Sequence, residues 1–410
     1  MSSAPRIDFQ PYDPRFAEDP YRVYAQLRER SPVFQSEQVG MTLFTRHDDI
    51  RSALLDRRFG RTMDHVLPAE AVERRRRSER WGQLPFYRRY VRTNLLETDG
   101  ADHARLRGLV SAALGPRRVA GLRNRIQALV DRLLDEREHD GRMEFIADLA
   151  TPLPVHMIAE LLGWPELERH RLRPWSARIV RLYEKDCSAG DEALAETATA
   201  EFAAMLGELA AARREEPRDD LVSALVTVAD ADGERLSEDE LVATCMLLLN
   251  AGHEATVNAA GNGLWALLRH PEELARLRAA PSLVTSAVEE MLRYDPPLQL
   301  FHRYVLEDLS FVDIELRQGE MVGLLYGCAN RDPQAFERAE EFDIGRNPNR
   351  HLSFGTGTHF CLGAPLARLE LDILLGSVLR RLPELQLDEA QPEFRTGLVF
   401  RGLKALQVRW

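Results

Sequence analysis

The chain has 410 residues, 54 Lys+Arg against 65 Asp+Glu for a formal net charge of −11, and 44% hydrophobic residues. That length and apolar content suffice for a large core and exclude disordered and fibrous classes, while the acidic balance argues against nucleic acid or an anionic membrane as the main partner. All basic residues except Lys185 and Lys404 are arginine, a bias read as genome composition and given no functional weight.

The opening residues, MSSAPRIDFQPYDPRF, lack the apolar core of a signal peptide, and no run of about 18 apolar residues follows. A protein neither secreted nor membrane-anchored is expected. Cys187, Cys245, Cys328 and Cys361 are too dispersed for a CxxC pair or a disulfide ladder, which fits a reducing cytoplasm. There is no internal repeat or Gly/Ser linker, so one continuous domain over 1–410 is expected.

In chain order, the spacing predicts helices over Asp19 to Arg30, Asp102 to Leu114, Arg117 to Glu138, Pro152 to Leu162 and Asp191 to Arg214. Further helices are predicted over Leu283 to Tyr294 and Ala364 to Leu382. Strand signals are sparse: Pro32 to Thr45, Leu309 to Glu315 and the closing Gly397 to Trp410. The fold class is therefore mainly α with a minor β region.

The longest predicted helix runs from Ser237 to Arg269, opened by a Ser237/Glu240 capping box and closed before Pro271. At 1.5 Å per residue it spans roughly 50 Å, and with Leu247, Leu248 and Leu249 in its middle it must cross the molecule's centre. Its centre reads Asn250-Ala-Gly-His-Glu-Ala-Thr256. Glycine weakens a helix and an unpaired carboxylate resists burial, so a ligand packed at that point would account for both.

Near the C-terminus stands Phe354-Gly-Thr-Gly-Thr-His-Phe-Cys361-Leu-Gly363, followed at once by a predicted helix. Glycines on both sides of a thiol let a tight loop approach a flat ligand, and the N-terminus of the next helix stabilises a thiolate. Across these ten residues the sequence resembles the cytochrome P450 family, whose haem-ligand signature is Phe, two glycines, a basic residue and cysteine at this spacing. The resemblance covers nearly the whole chain. It implies the family fold, with the long central helix over a b-type haem bound through Cys361, and Phe354, Gly355, His359 and Gly363 forming the loop against it.

Two further landmarks carry the resemblance. Glu290-Met-Leu-Arg293 puts a carboxylate and a guanidinium on one helix face, and Arg346 falls where the family places the third member of a buried structural triad. His103 and Arg107, four residues apart on one helix face, lie where the family binds haem propionates. Arg303 and His359 are similarly placed. Arg105 faces elsewhere, either solvated or available to a redox partner. The stretch 60–98, with Glu73 followed by Arg74 to Arg77, resembles the family's variable substrate loop, where the arginines are either a solvated face or a site for an anionic substrate or carrier.

The implied activity is a monooxygenase that activates dioxygen with external electrons and oxidises an apolar C–H bond of a small, secondary-metabolite-like molecule. The chain has no flavin or nicotinamide domain, so a ferredoxin and its NAD(P)H-dependent reductase are the implied partners, with the protein a monomer. Rival readings are a peroxide-driven peroxygenase or oxidative-coupling enzyme, and a haem protein that only binds ligand or recruits a carrier.

One position departs from the family. Most members follow the central acid with an alcohol that relays protons, but here Glu254 is followed by Ala255, and Thr256 comes one residue, about 100° of helix, too late. Either an oxygen brought by the substrate replaces the missing hydroxyl, or a local bulge turns Thr256 into the relay. Asn250, one turn before Glu254, stands where relatives carry an aliphatic pocket residue and either bonds substrate or satisfies its own helix. Leu247, Ala251, Leu298 and Phe400 are the other expected pocket positions.

Overall fold

The computed structural model describes residues 4–78, 80–183, 187–229, 231–388 and 391–410. Its contacts divide the chain into two compact units. The first comprises 1–60, 123–153 and 255–410, the second 61–122 and 154–254, so the central helix contributes its C-terminal half to the first and its N-terminal half to the second.

The first unit holds the β structure. Its main sheet has the order Val33–Ser36, Met41–Phe44, Met321–Leu325, Leu300–Val305 and Phe59–Gly60, antiparallel except where Met41–Phe44 meets Met321–Leu325. Phe44, Ile50, Phe59, Val305, Val322 and Leu324 form its core. Met143 and Val408 pair in a three-stranded sheet of Arg142–Glu144, Gln407–Arg409 and Gln386–Leu387. The helices Arg123–Asp135 and Ala364–Arg381 are tied together where Gln127 Nε2 donates to Ser377 Oγ at 2.9 Å and Arg381 binds Asp135 at 2.6 Å.

The second unit is helical. Helices Leu172–Arg181 and Ala189–Glu215 close over Trp164, Trp175 and Phe202, with Trp164 stacked on Phe202 at 5.2 Å. Trp175 spends its one polar group on Glu201, at 2.7 Å. Arg213 bridges Asp220 at 2.5 Å and the carbonyl of Gly163 at 3.0 Å, and Gly163 itself turns at φ +70°. A Cβ there would sit 2.1 Å from the Asp220 carboxylate, so only glycine lets that ion pair close.

The central helix spans Glu238–Leu268, one residue shorter at each end than the pattern predicts. Its capping box is present: Ser237 N donates to Glu240 Oε2 at 2.8 Å and Glu240 N to Ser237 Oγ at 3.2 Å. The predicted helix from Arg117 breaks into Pro116–Gly121 and Arg123–Asp135. Leu122 turns inward at the break and its N–H bonds back to Val119, three residues away, after a glycine that holds helix weakly. Leu309 to Glu315 is a hairpin, because Val312 and Asp313 take φ 51° and 61° and reverse the chain between Leu309–Phe311 and Ile314–Leu316. Of the closing segment only Gln407–Arg409 is strand. Leu300–Val305, with His302 and Arg303 in its middle, gave no alternating pattern and was not anticipated.

The stretch 60–98 contains two helices, Ala69–Ser78 and Pro85–Tyr90. Arg76 binds Asp64 at 2.7 Å, Arg77 binds Glu73 at 3.0 Å, and Arg75 lies 3.8 Å from Asp64, so much of the arginine run is an ion-paired helix face. Among the described residues no helix is long and apolar enough to cross a membrane.

Glu370, on Ala364–Arg381, is 2% exposed, and its Oε1 has no hydrogen-bond partner among the described residues. Burial raises its carboxyl from 4.5 to about 8. The folded protein thus keeps this proton until about pH 8, while the unfolded chain releases it near 4.5, so stability falls as pH climbs through that window. Glu370→Gln is expected to abolish this pH dependence, which amounts to about 5 kcal/mol across the window, narrowing the difference between urea midpoints measured at its two ends.

Candidate functional site

The cysteine loop is built from backbone hydrogen bonds that only a glycine-rich chain closes. Gly355 N donates to Leu352 O at 2.8 Å and Cys361 N to Phe354 O at 2.9 Å, with Gly355 and Gly357 at φ +65° and +75°. A Cβ on Gly357 would stand 2.7 Å from the Leu54 carbonyl. The loop then enters the helix Ala364–Arg381, with Gly363 at the N-cap position. Cys361 is exposed and in no disulfide at that helix start, where the N–H groups of the first turn favour a negative sulfur. Cys328 and Cys245 are buried instead, and burial pushes the thiol of Cys328 up to about 12 and raises that of Cys245 as well.

Behind the loop lies the charge cluster that the Glu290/Arg293 spacing announced. Both side chains are 0% exposed, Arg293 Nε and Nη2 donate one hydrogen bond each to Glu290 at 2.8 Å, and Arg346 Nε reaches Glu290 Oε2 at 3.1 Å. Asp343 N and Asn349 Nδ2 also donate to Glu290, at 2.9 and 3.1 Å. Arg293 in turn donates to the carbonyls of Asn330, Ala339 and Glu341 at 2.8, 2.7 and 2.8 Å. From Asn330 the network reaches the loop, since its Oδ1 accepts from Leu352 N at 2.7 Å and its Nδ2 donates to Ser353 Oγ at 2.8 Å.

The first unit holds two of the four expected propionate donors. Arg303 is 3% exposed on strand Leu300–Val305, its Nη1 donating to His302 O at 3.0 Å and its guanidinium 5.1 Å over Phe301. His359 ends the short turn Gly357–His359 of the cysteine loop. The other two, His103 and Arg107, are one turn apart on Gly100–Leu114 of the second unit, His103 buried and Arg107 half-buried. Arg105 is not a solvated side chain. It binds Glu240 and lies 3.9 Å from Glu234, anchoring the first turn of the central helix.

On the central helix the second unit carries Leu247, Asn250, Ala251 and Glu254, positions that share one face. Asn250 is 4% exposed with its Oδ1 unpartnered among the described residues, Ala251 is exposed, and Leu247 and Glu254 are half-buried. This is a mixed apolar and polar stripe in the middle of a helix whose flanks are buried. The helix stays regular α through 250–256, so no bulge turns Thr256, 7% exposed, into the direction of Ala255. In the first unit the chain brings together Leu298 and Phe400, 102 residues apart, through an isolated antiparallel bridge.

The donor set fits a haem. Among the described residues no group of three or more His, Cys, Asp or Glu could hold a metal ion. The exposed Cys361 sulfur, at a helix start, is of the chemistry that would ligate a haem iron. In the first unit Arg303 and His359 are donors of the kind that suits a carboxylate of such a ring.

One group escaped the sequence reading. Glu289, beside Glu290, binds Arg368 through both oxygens at 2.6 and 2.8 Å and His351 at 3.1 Å. Separations of 62 and 79 residues leave no local pattern by which the three could be found.

Residues 154–403 match the family described as cytochrome P450. The chain is 38% identical over 412 residues, 98% of each protein, to the polyketide biosynthesis cytochrome P450 PksS of Bacillus subtilis. It is 37% identical over 405 residues, 96% of each, to the 6-deoxyerythronolide B hydroxylase of Saccharopolyspora erythraea. The crystal structure of P450BioI in complex with a hexadec-9Z-enoic acid ligated acyl carrier protein superposes with a TM-score of 0.88 at 36% identity, covering 97% of this chain and all of that one.

Arg293→Met is expected to cost about 3–5 kcal/mol in urea unfolding, because it removes both 2.8 Å bonds to the buried Glu290 carboxylate and leaves the carbonyls of Asn330, Ala339 and Glu341 without their donor. Arg346→Met is expected to cost less, since Arg293 still faces Glu290.

Proposed function

The chain belongs to the cytochrome P450 family, and from that premise we propose that Cys361 is the thiolate ligand of its haem iron. His103, Arg107, Arg303 and His359 are the propionate donors in this reading, and Phe354, Gly355 and Gly363 shape the loop against the ring. The protein is a haem b monooxygenase. When bound, the haem supplies reductive activation of dioxygen and insertion of one oxygen atom into a C–H bond. Electrons come from a ferredoxin and its NAD(P)H-dependent reductase in the cytoplasm.

Ala255 carries the finer reading. It offers no hydroxyl beside Glu254, so the proton path through this helix runs over an oxygen that the substrate brings, its own hydroxyl or a water it holds. Thr256, buried on a regular helix, is the weaker candidate. Asn250 aligns such a substrate by accepting one of its hydroxyl protons at Oδ1, while Leu247, Ala251, Leu298 and Phe400 supply apolar contact. A small, apolar but hydroxyl-bearing secondary metabolite follows. Relatives named for polyketide biosynthesis and for hydroxylation of 6-deoxyerythronolide B support that class, and a relative solved with an acyl carrier protein supports a carrier-tethered form of it.

Optical titration of the ferric protein with hydroxylated macrolactones, terpenoids, aromatic acids and cyclic peptides tests the class. A high-spin shift confined to hydroxyl-rich ligands is expected, and a shift only with acyl-carrier substrates selects the tethered form. Asn250→Val is expected to weaken the native ligand about 5- to 30-fold, the worth of one buried hydrogen bond, about 1–2 kcal/mol. Ala255→Thr is expected to leave turnover and coupling unchanged or lower; a marked rise in both overturns substrate assistance.

A further inference from the structure

We infer that Glu289, Arg368 and His351 form an ion-paired clamp on the cysteine loop, positioning Phe354 and setting the electrostatic surroundings of the Cys361 thiolate. The inference rests on the reading of Cys361 as the iron ligand. All three residues lie in the first unit with the loop itself.

The geometry gives each member a separate task. Glu289 and Glu290 are adjacent on the helix Val284–Tyr294 and so point about 100° apart. Glu290 serves the buried triad, which leaves Glu289 to the loop. Arg368, seven residues past Cys361, takes both oxygens of Glu289 in a fork, and its guanidinium carbon lies 4.5 Å over the ring of Phe354. Phe354 is the residue whose carbonyl accepts the Cys361 N–H at 2.9 Å. Its ring is thus held by Arg368 while its backbone fixes the thiol.

His351 closes the clamp from the loop's entrance. Ser353 N donates to His351 Nδ1 at 3.3 Å, so Nδ1 is the acceptor and the ring proton lies on Nε2, which donates to Glu289 Oε2 at 3.1 Å. In that arrangement Arg368 and Glu289 bring one positive and one negative charge to the clamp. Although burial raises the Glu289 carboxyl, the hydrogen bonds from Arg368 and His351 outweigh it and bring it to about 2, so Glu289 is anionic at neutral pH. The Glu289 hydrogen bond chiefly, and the nearby Cys361 sulfur to a smaller extent, favour the charged form of Arg368.

Glu289 therefore screens a guanidinium that would otherwise bear on the thiolate alone. A net positive charge near the iron favours the ferrous state, and a net negative one the ferric. Neither Glu289 nor Arg368 touches substrate in this reading. Both act through the loop and are positioning residues.

The test uses purified holoprotein and reads the ferric/ferrous potential together with the long-wavelength thiolate band of the ferrous carbon-monoxide complex. Glu289→Gln, which keeps size and hydrogen-bonding atoms, is expected to raise the potential. Arg368→Met is expected to lower it, and the double variant to return towards the parent. Single variants that hold haem at the parent's potential overturn the clamp. Should Glu289→Gln fail to hold haem, adding Arg368→Met must restore it, and failure to do so also overturns the clamp. A parent without the thiolate band overturns the ligand assignment and the clamp with it, whereas a parent with the band and unmoved variants overturns the clamp alone.

Discussion

The carboxylate of Glu290 is fully buried, and a buried anion persists only when its lone pairs are filled by donors that cannot leave. Here the donors come from its own helix, from Arg346, from Asn349 and from the Asp343 backbone, so one charge pins a run of otherwise irregular chain. Arg293 extends the hold to three carbonyls, and Asn330 carries it into Leu352 and Ser353. The cysteine loop hangs from that anchorage. A thiol that must stay exposed cannot be fixed by packing around itself, so its position is set by the chain before it and the helix after it.

The same tension between stability and exposure marks the central helix. Asn250 with a bare oxygen, exposed Ala251 and half-buried Glu254 are poor choices for a helix whose role is to fill a core. In the proposed reading they suit a helix that offers a polar atom and a small footprint to a partly apolar molecule. Glu370 illustrates the contrast. It is as buried as Asn250 yet lies in apolar surroundings that push its proton on, a cost to the fold that no proposed function uses.

Charge pairing separates residues that look alike in the sequence. Arg105 and Arg107 are two positions apart on one helix, but Arg105 is spent on the cap of the central helix. The arginines after Glu73 look like a basic patch, yet three of them face Asp64 or Glu73. Glu289 and Glu290 are neighbours with unrelated partners, because a one-residue step on a helix changes the face.

The sequence by itself determined the helical class, the central helix with its capping box, the thiol between glycines at a helix start, the Glu290/Arg293 pair and the missing hydroxyl at Ala255. Each is a local feature, written in residues within a turn or a loop of one another, where spacing and backbone chemistry decide the outcome. Only the tertiary structure decided the hairpin at Val312 and Asp313, the break at Leu122, the strand carrying Arg303, the meeting of Leu298 with Phe400 and the clamp of Glu289, Arg368 and His351. The first two turn on local backbone geometry that residue spacing does not encode, and the others on partners tens to hundreds of positions away. Hydrogen bonds and ion pairs of that kind carry no periodicity, so no window of sequence records them.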